Sequence, residues 1–119
     1  MENRPSSSEK GREGEEIALD FLLKKEYTIY KRNHVTPRGE IDIIAGDRGT
    51  IVFVEVKMSN LYEVSDIGRS VGNLKRRKLR DAGLLYLRDK YGTVEIPCRF
   101  DVILINLLKD RIMHFENAF

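Results

Sequence analysis

Cysteine and tryptophan are nearly absent from this chain, and each scarcity excludes a class of site. Its 119 residues contain one cysteine and no tryptophan, and aromatic residues make up only 8% of the sequence. A single cysteine, Cys98, excludes an internal disulfide and any multi-cysteine metal site, so we expect it to be a small residue at a strand start. Because aromatic rings are scarce, we expect no extensive base stacking in any nucleic-acid binding.

Long hydrophobic runs are also missing. The first residues, MENRPSSSEKGREGEE, have no apolar signal-peptide core, and the other apolar runs are too short to span a bilayer. We therefore expect a cytoplasmic protein without a membrane partner. Gly11 and Gly14 follow no strand and so do not form a phosphate-binding loop, and we expect no small-molecule organic cofactor.

The composition is that of one soluble globular domain with a highly charged surface. Hydrophobic residues make up 41% and charged residues 34% of the chain. The 21 basic and 19 acidic residues leave a net charge of +2, so attraction to nucleic acid must come from local clustering. We predict a flexible tail over residues 1–10 and a single domain over residues 11–119.

The hydrophobic periodicity predicts an α/β fold in the order helix, three strands, helix, two strands. The first helix is expected from about Arg12 to Glu26, and a second from about Val71 to Gly92, after a loop at 59–68. The strands are predicted at TIYKRNH, GEIDIIAG, TIVFVEVKM, RFDVILINLL and RIMHFENAF. The fourth of these is nearly all apolar, which is typical of a strand covered on both faces.

Residues 39–57, GEIDIIAGDRGTIVFVEVK, predict a β-hairpin that carries three charged residues of interest. Strand side chains alternate, so Glu55 and Lys57 emerge on one face about 7 Å apart. If the hairpin loop has two or four residues, Asp42 on the partner strand falls on the same face.

Two carboxylates this close repel each other, and a divalent cation removes the conflict. Mg²⁺ or Mn²⁺ is expected to bind Asp42 and Glu55, with the carbonyl of Val56 as a third ligand. Lys57 would then orient the attacking water or stabilise the transition state of phosphate hydrolysis. The alternative is a structural salt bridge between Lys57 and one of the acids.

Glu15 provides a further acid on the first helix. On a helical wheel it falls between Leu19 and Leu22, inside the apolar sector, so it is expected to face the interior. An inward carboxylate needs a partner, which a metal site or Lys57 would supply. Alternatively, Glu15 is an acid favourably placed near the helix N-terminus.

The second helix contains the basic run KRRKLR. A phosphate-binding cluster is predicted there, since like charges at helical spacings repel unless an anionic partner offsets them. The residues of this cluster are Arg69, Lys75, Arg76, Arg77, Lys78 and Arg80. The alternative is a solvated helix face. With so few aromatics, we expect recognition of backbone shape rather than base sequence.

His34, His114 and Asp101 receive structural interpretations. Neither histidine has a second ligand at metal-binding spacing. Asp101 lies in an apolar strand, where it is expected to bond a backbone group or Arg99, although a supporting role near the metal site is an alternative.

The ordered motifs GEEIALDFL, GEIDIIA, FVEVK and RFDVI resemble those of the YraN-like (UPF0102) family, over nearly all of the chain after the tail. That family is similar to archaeal Holliday junction resolvases and to PD-(D/E)xK nucleases. The resemblance implies a restriction-endonuclease-like three-layer core, with a mixed sheet of about five strands flanked by two long helices. It also implies divalent-metal-dependent phosphodiester cleavage and commonly a homodimer.

Position by position, the resemblance makes Asp42 the motif aspartate, Glu55 and Lys57 its ExK, and Glu15 the glutamate of the first helix. We therefore predict a metal-dependent endonuclease that hydrolyses DNA at branched, Holliday-junction-like structures. One alternative is a non-catalytic nucleic-acid-binding or assembly module that uses the basic helix. Another is a protein-interaction domain that uses sheet edges in a homodimer.

Overall fold

Helices and strands follow one another along the chain in the predicted order. The computed structural model describes residues 7–59 and 71–119. Its elements are helix α1 (Ser7–Lys24), strands β1 (Thr28–Thr36), β2 (Gly39–Asp47) and β3 (Thr50–Ser59), helix α2 (Asn73–Tyr91), and strands β4 (Cys98–Asn106) and β5 (Arg111–Phe115). The predicted α/β class and the order α-β-β-β-α-β-β are confirmed.

The boundaries of the two helices differ in how well the sequence predicts them. Helix α1 begins at Ser7 rather than near Arg12, so residues 7–10, which we expected in the tail, belong to the helix. Residues 1–6, the predicted loop from residue 60 onward, and Arg69 lie outside the described residues. Helix α2 ends at Tyr91 as predicted, because Gly92 adopts a left-handed conformation at φ 76°.

The five strands form one mixed sheet in the order β1-β2-β3-β4-β5. Strands β3 and β4 are parallel, and the other three neighbouring pairs are antiparallel. A parallel pair needs a crossover connection, and α2 provides it. Strand β4 is buried from Phe100 to Asn106, as expected for a strand covered on both faces.

The β2–β3 hairpin has a turn of a length that places Asp42 on the same face of the sheet as Glu55. Asp47 pairs with Thr50, leaving Arg48 and Gly49 as a two-residue turn. Both turn residues have positive φ, at 51° and 86°, as tight hairpin turns of this length require. The pairing continues to Ile43 opposite Val54, so the next positions in the same register are Asp42 and Glu55.

Alternating side chains of the sheet build two cores, one on each face. On one face α1 supplies Ala18 and Leu22, which pack with Ile43, Ala45, Val52, Val54, Ile103 and Ile105. On the other face α2 supplies Leu79, Ala82, Tyr86 and Leu87, which pack with Ile44, Ile51, Phe53, Phe100, Val102 and Leu104. The sheet therefore lies between the two helices in a three-layer arrangement.

Helix α2 packs closely on the sheet at Gly83. A Cβ atom at this position would lie 2.8 Å from Cζ of Phe100 and 3.1 Å from Cδ2 of Phe53. The missing side chain thus sets the separation between α2 and the central strands. Neither helix in the described part of the chain is long and apolar enough to cross a membrane.

Candidate active site

A groove of about 660 Å³ opens where the start of β2 meets the first turns of α2. The sheet contributes Gly39, Glu40, Asp42 and Glu55 to its lining. The segment that leads into α2 and the helix itself contribute Gly72, Asn73, Leu74, Lys75, Lys78 and Leu79. Acidic groups on the sheet side therefore face two lysines on the helix side, and we call this feature the carboxylate groove.

Asp42 is the half-buried acid at the centre of the sheet side. Its Oδ2 atom accepts a hydrogen bond of 2.8 Å from the backbone N–H of Val56. Burial and the negative charge of Glu55 raise the pKa of Asp42 to about 7, although the Val56 N–H opposes them. Val56 therefore contributes an N–H group that orients this carboxylate, while its carbonyl remains only a predicted metal ligand.

Three acids converge beside the groove: Glu15 from α1, and Glu40 and Asp42 from β2. Each offers a carboxylate oxygen, and these oxygens lie within 4.8 Å of one another. We call this set the carboxylate triad. Glu40 was not among the predicted site residues, although its position two residues before Asp42 on the same strand face was the available signal.

Glu15 faces inward, as its place on the helical wheel predicts. Its Oε2 atom is buried and has no hydrogen-bond partner. Burial raises the pKa of Glu15, while a hydrogen bond from Asn33 acts in the opposite direction. A buried carboxylate oxygen without a partner is costly, so this atom is available to a ligand from outside the chain.

The carboxylate triad fits a hard divalent cation. Mg²⁺ and Mn²⁺ prefer oxygen donors, and a divalent charge would offset the mutual repulsion of Glu15, Glu40 and Asp42. The unpartnered Oε2 of Glu15 would gain a partner in the same step. The predicted ligand Glu55 is not part of the triad, whose members among the described residues are the three acids named here.

The Glu55 carboxylate instead holds two ammonium groups. Lys57 Nζ lies 3.3 Å and Lys75 Nζ 2.6 Å from the same atom, Glu55 Oε1. Only 4% of the Glu55 side chain is exposed. The Lys57–Glu55 ion pair that we considered as an alternative to a catalytic pair is therefore present, and Lys75 is an additional partner that the sequence pattern did not reveal.

The two lysines differ in their protonation equilibria. Burial, together with the contact with Lys75, lowers the pKa of Lys57. Burial acts in the same direction on Lys75, but its hydrogen bond to Glu55 and the negative charge of that carboxylate outweigh the effect and raise the pKa of Lys75. Lys57 is thus the lysine of this pair that releases its proton more readily.

The predicted basic cluster divides into residues that line the groove and residues that do not. Lys75 and Lys78 line it. Arg76 does not line the groove. Its Nε donates to the carbonyl oxygen of Val71 at 2.8 Å, and its guanidinium lies 5.9 Å from the centre of the Phe119 ring. Arg77 and Arg80 are exposed and do not line the groove.

Asp101 lies on the α1 face of the sheet, opposite to the groove. Arg99 Nε donates to its Oδ1 at 3.1 Å, and His114 Nε2 lies 2.8 Å from its Oδ2. These contacts support the structural interpretation of Asp101 and His114. His34 packs edge-on against Tyr86, with ring centres 5.3 Å apart.

This chain is similar in sequence to known proteins over most of its length. Residues 14–105 match the Uncharacterised protein family UPF0102. The chain belongs to this family. It is 45% identical to a UPF0102 protein of Thermodesulfovibrio yellowstonii, in an alignment that covers 93% of this chain and 96% of that protein. It is 42% identical to a UPF0102 protein of Desulfosudis oleivorans, with 92% and 88% covered.

The UPF0102 match contains every site residue that the structure describes. Glu15, in the middle of α1, is close to the beginning of the matched region, and Lys75 and Lys78 lie well within it. A third relative, the UPF0102 protein of Pelotomaculum thermopropionicum, is 39% identical over 92% of this chain and 93% of its own length. The family match therefore extends over β1, β2, β3 and all but the last residue of β4, and it includes both sides of the groove.

Proposed function

We propose that this UPF0102 protein is a divalent-metal-dependent endonuclease that hydrolyses DNA phosphodiester bonds in the carboxylate groove. One observation carries the proposal: the carboxylate triad and the ion pair of buried Glu55 with Lys57 lie in or beside one open groove that Lys75 and Lys78 also line. Acids that can hold a cation next to lysines that can hold phosphate form a complementary site for a metal ion and a phosphodiester.

Each residue of the groove has a distinct role in this proposal. Glu15, Glu40 and Asp42 would hold Mg²⁺ or Mn²⁺ together with Glu55, and the bound ion would supply a water of lowered pKa and neutralise charge on the phosphate. The Val56 N–H keeps the Asp42 carboxylate oriented. Lys57, with its lowered pKa, orients the attacking water or stabilises the charge that develops on the phosphate.

The choice of DNA, and of branched DNA in particular, follows from the resemblance to Holliday junction resolvases. The groove itself supports a phosphate-bearing polymer, because Lys75 and Lys78 provide cationic groups at its helix side. Contacts of this kind position a backbone without reading its bases. The proposed enzyme would therefore select the shape of its substrate rather than a sequence.

A cleavage assay with purified protein tests the proposal. Linear, single-stranded, flapped and four-way DNA would each be incubated with Mg²⁺ or Mn²⁺. We expect cleavage of at least one of them, lost by roughly 100-fold or more in Asp42→Asn and in Lys57→Met, since each removes a group that acts in the transition state. Asp20→Asn is the matched control, because Asp20 is exposed on α1 and pairs with Lys24.

The catalytic proposal fails if the wild-type protein cleaves none of these substrates with either metal. It also fails if Asp42→Asn cleaves as fast as Asp20→Asn. Circular dichroism of each variant separates loss of activity from loss of folding.

The second candidate is a non-catalytic nucleic-acid-binding module, and the ion pairs of Glu55 favour it. Two ammonium groups already neutralise this buried carboxylate without any metal. This candidate predicts that Asp42→Asn preserves cellular function, whereas charge reversal at the exposed Arg77 and Arg80 abolishes it. Loss of cellular function in a folded Asp42→Asn variant would rule it out.

A further inference from the structure

The Glu55 carboxylate contacts more positive charge than is required to neutralise it. Both Lys57 Nζ and Lys75 Nζ contact the single oxygen Oε1, at 3.3 and 2.6 Å. One carboxylate with two ammonium groups has a net charge of +1, and the two cations repel each other. A divalent cation that approached this carboxylate would face the repulsion of both ammonium groups.

The two lysines are not equally free to leave. Lys57 extends from the same strand as Glu55, two residues further on, and 22% of its side chain is exposed. Lys75 reaches Glu55 from helix α2 across the groove, and 44% of its side chain is exposed. A long side chain near solvent changes rotamer at little cost, so Lys75 is the partner that can move away from Glu55.

A new partner for Lys75 is available in the same groove. Lys75 and Lys78 both line the space into which a phosphate-bearing substrate would enter. An ammonium group that leaves Glu55 would bind such a phosphate through a charge-assisted hydrogen bond of comparable strength. The displaced lysine would therefore remain paired.

We propose that Lys75 is an exchangeable counter-ion, which competes with the divalent cation for Glu55 and transfers to a substrate phosphate when that cation binds. This inference rests on the proposed metal-dependent function of the groove. Cation binding and anion binding then favour each other. A bound cation displaces Lys75 from Glu55 and leaves its ammonium group free to bind an anion, and a bound anion holds Lys75 away from Glu55 and leaves the carboxylate free to bind a cation. Lys75 is thus a positioning residue that couples the two ligands.

Isothermal calorimetry of Mn²⁺ binding tests the competition directly. In Lys75→Met, the affinity for Mn²⁺ is expected to rise at least about fivefold over the wild type, at the low end of typical coupling between two sites. Arg88→Met is the matched control, because Arg88 is an exposed cation of the same helix that pairs with Asp89 and does not line the carboxylate groove. Its affinity should stay within about twofold of the wild type.

A second measurement tests the transfer to an anion. Sulfate, used as a probe for a phosphate group, should increase the Mn²⁺ affinity of the wild type at constant ionic strength, relative to chloride. The same exchange of salt should have no effect on Lys75→Met. Lys75→Gln serves as a second variant, and the melting temperature of each protein verifies folding.

The outcomes separate this inference from the function on which it rests. If the wild type binds Mn²⁺ and Lys75→Met binds it equally well or more weakly, the exchange is overturned while the metal site stands. If neither the wild type nor any variant binds Mn²⁺, both the exchange and the proposed function are overturned.

Discussion

Asp42 and Asp101, on opposite faces of the sheet, have opposite pKa shifts. Burial and the charge of Glu55 raise the pKa of Asp42 to about 7. Burial opposes ionisation of Asp101 as well, but its hydrogen bonds from His114, the Asn117 N–H and Arg99 outweigh this and lower its pKa. Asp101 is a satisfied structural acid, whereas Asp42 lacks enough compensating charge, as functional residues often do.

Asp101→Asn should destabilise the protein at neutral pH. A lowered pKa means that the folded state favours the carboxylate, so the stabilisation is fully present above the ordinary pKa of 3.8 and is lost as the pH falls through the lower folded value. We expect the free energy of unfolding at pH 7 to fall by about 2–4 kcal/mol, because half-buried Arg99 and the enclosed side chain of His114 each lose a charged partner. Urea unfolding at pH 7 and pH 3 measures this, and an equal deficit at both pH values would contradict it.

Asp42→Asn should have the opposite effect in the presence of a chelator. A raised pKa means that the carboxylate costs stability progressively as the pH rises from 3.8 to about 7, and fully above that. Removing the charge should increase the free energy of unfolding at pH 8 by roughly 1 kcal/mol or more, while the amide oxygen still accepts the Val56 N–H. There should be little gain at pH 4. Destabilisation of the folded protein at pH 8 would show that Asp42 is a structural acid.

The shared face of Asp42, Glu55 and Lys57 could be predicted from sequence because strand alternation and a two-residue turn fix it locally. The contact between Lys75 and Glu55 could not, because it depends on where helix α2 lies over the sheet. That placement results from packing between residues distant in sequence, which no local period records.

At the level of elements, hydrophobic periodicity predicted all five strands and the end of α2. It missed the first turn of α1, since the residues before Arg12 are polar and charged and carry no apolar repeat. Gly92 gave a local signal for the end of α2. The residues at the start of α1 contain no comparable signal, so the sequence does not mark where this helix begins.

Gly83→Ala should destabilise the protein, although glycine-to-alanine changes within helices usually stabilise by about 0.5–1 kcal/mol. The new methyl group would meet the Phe100 ring at 2.8 Å and push α2 away from the sheet. We expect a net loss of about 1–3 kcal/mol in the free energy of unfolding, measured by urea titration. Asp81→Ala, at an exposed position of the same helix, is the control and should change stability by less than about 0.5 kcal/mol. A stabilised Gly83→Ala protein would show that the helix and sheet can separate without cost.

At the level of the whole molecule, the two faces of the sheet carry different polar clusters. Its α1 face carries an apolar core and the satisfied network around Asp101, while its α2 face ends in the carboxylate groove. Glu15 connects the two sides, because it extends from α1 yet brings its carboxylate to the triad. The net charge of +2 gives no hint of this arrangement, since acids and lysines lie next to each other within the groove.

The central claim is that this groove binds a divalent cation through Asp42. A crystal soaked in Mn²⁺, with diffraction data collected at a wavelength where manganese scatters anomalously, tests it most directly. We predict an anomalous peak in contact with the Asp42 carboxylate and at least one of Glu15, Glu40 and Glu55, and no such peak in a crystal of Asp42→Asn. A groove without anomalous density in the wild-type crystal would contradict the metal centre and with it the proposed nuclease.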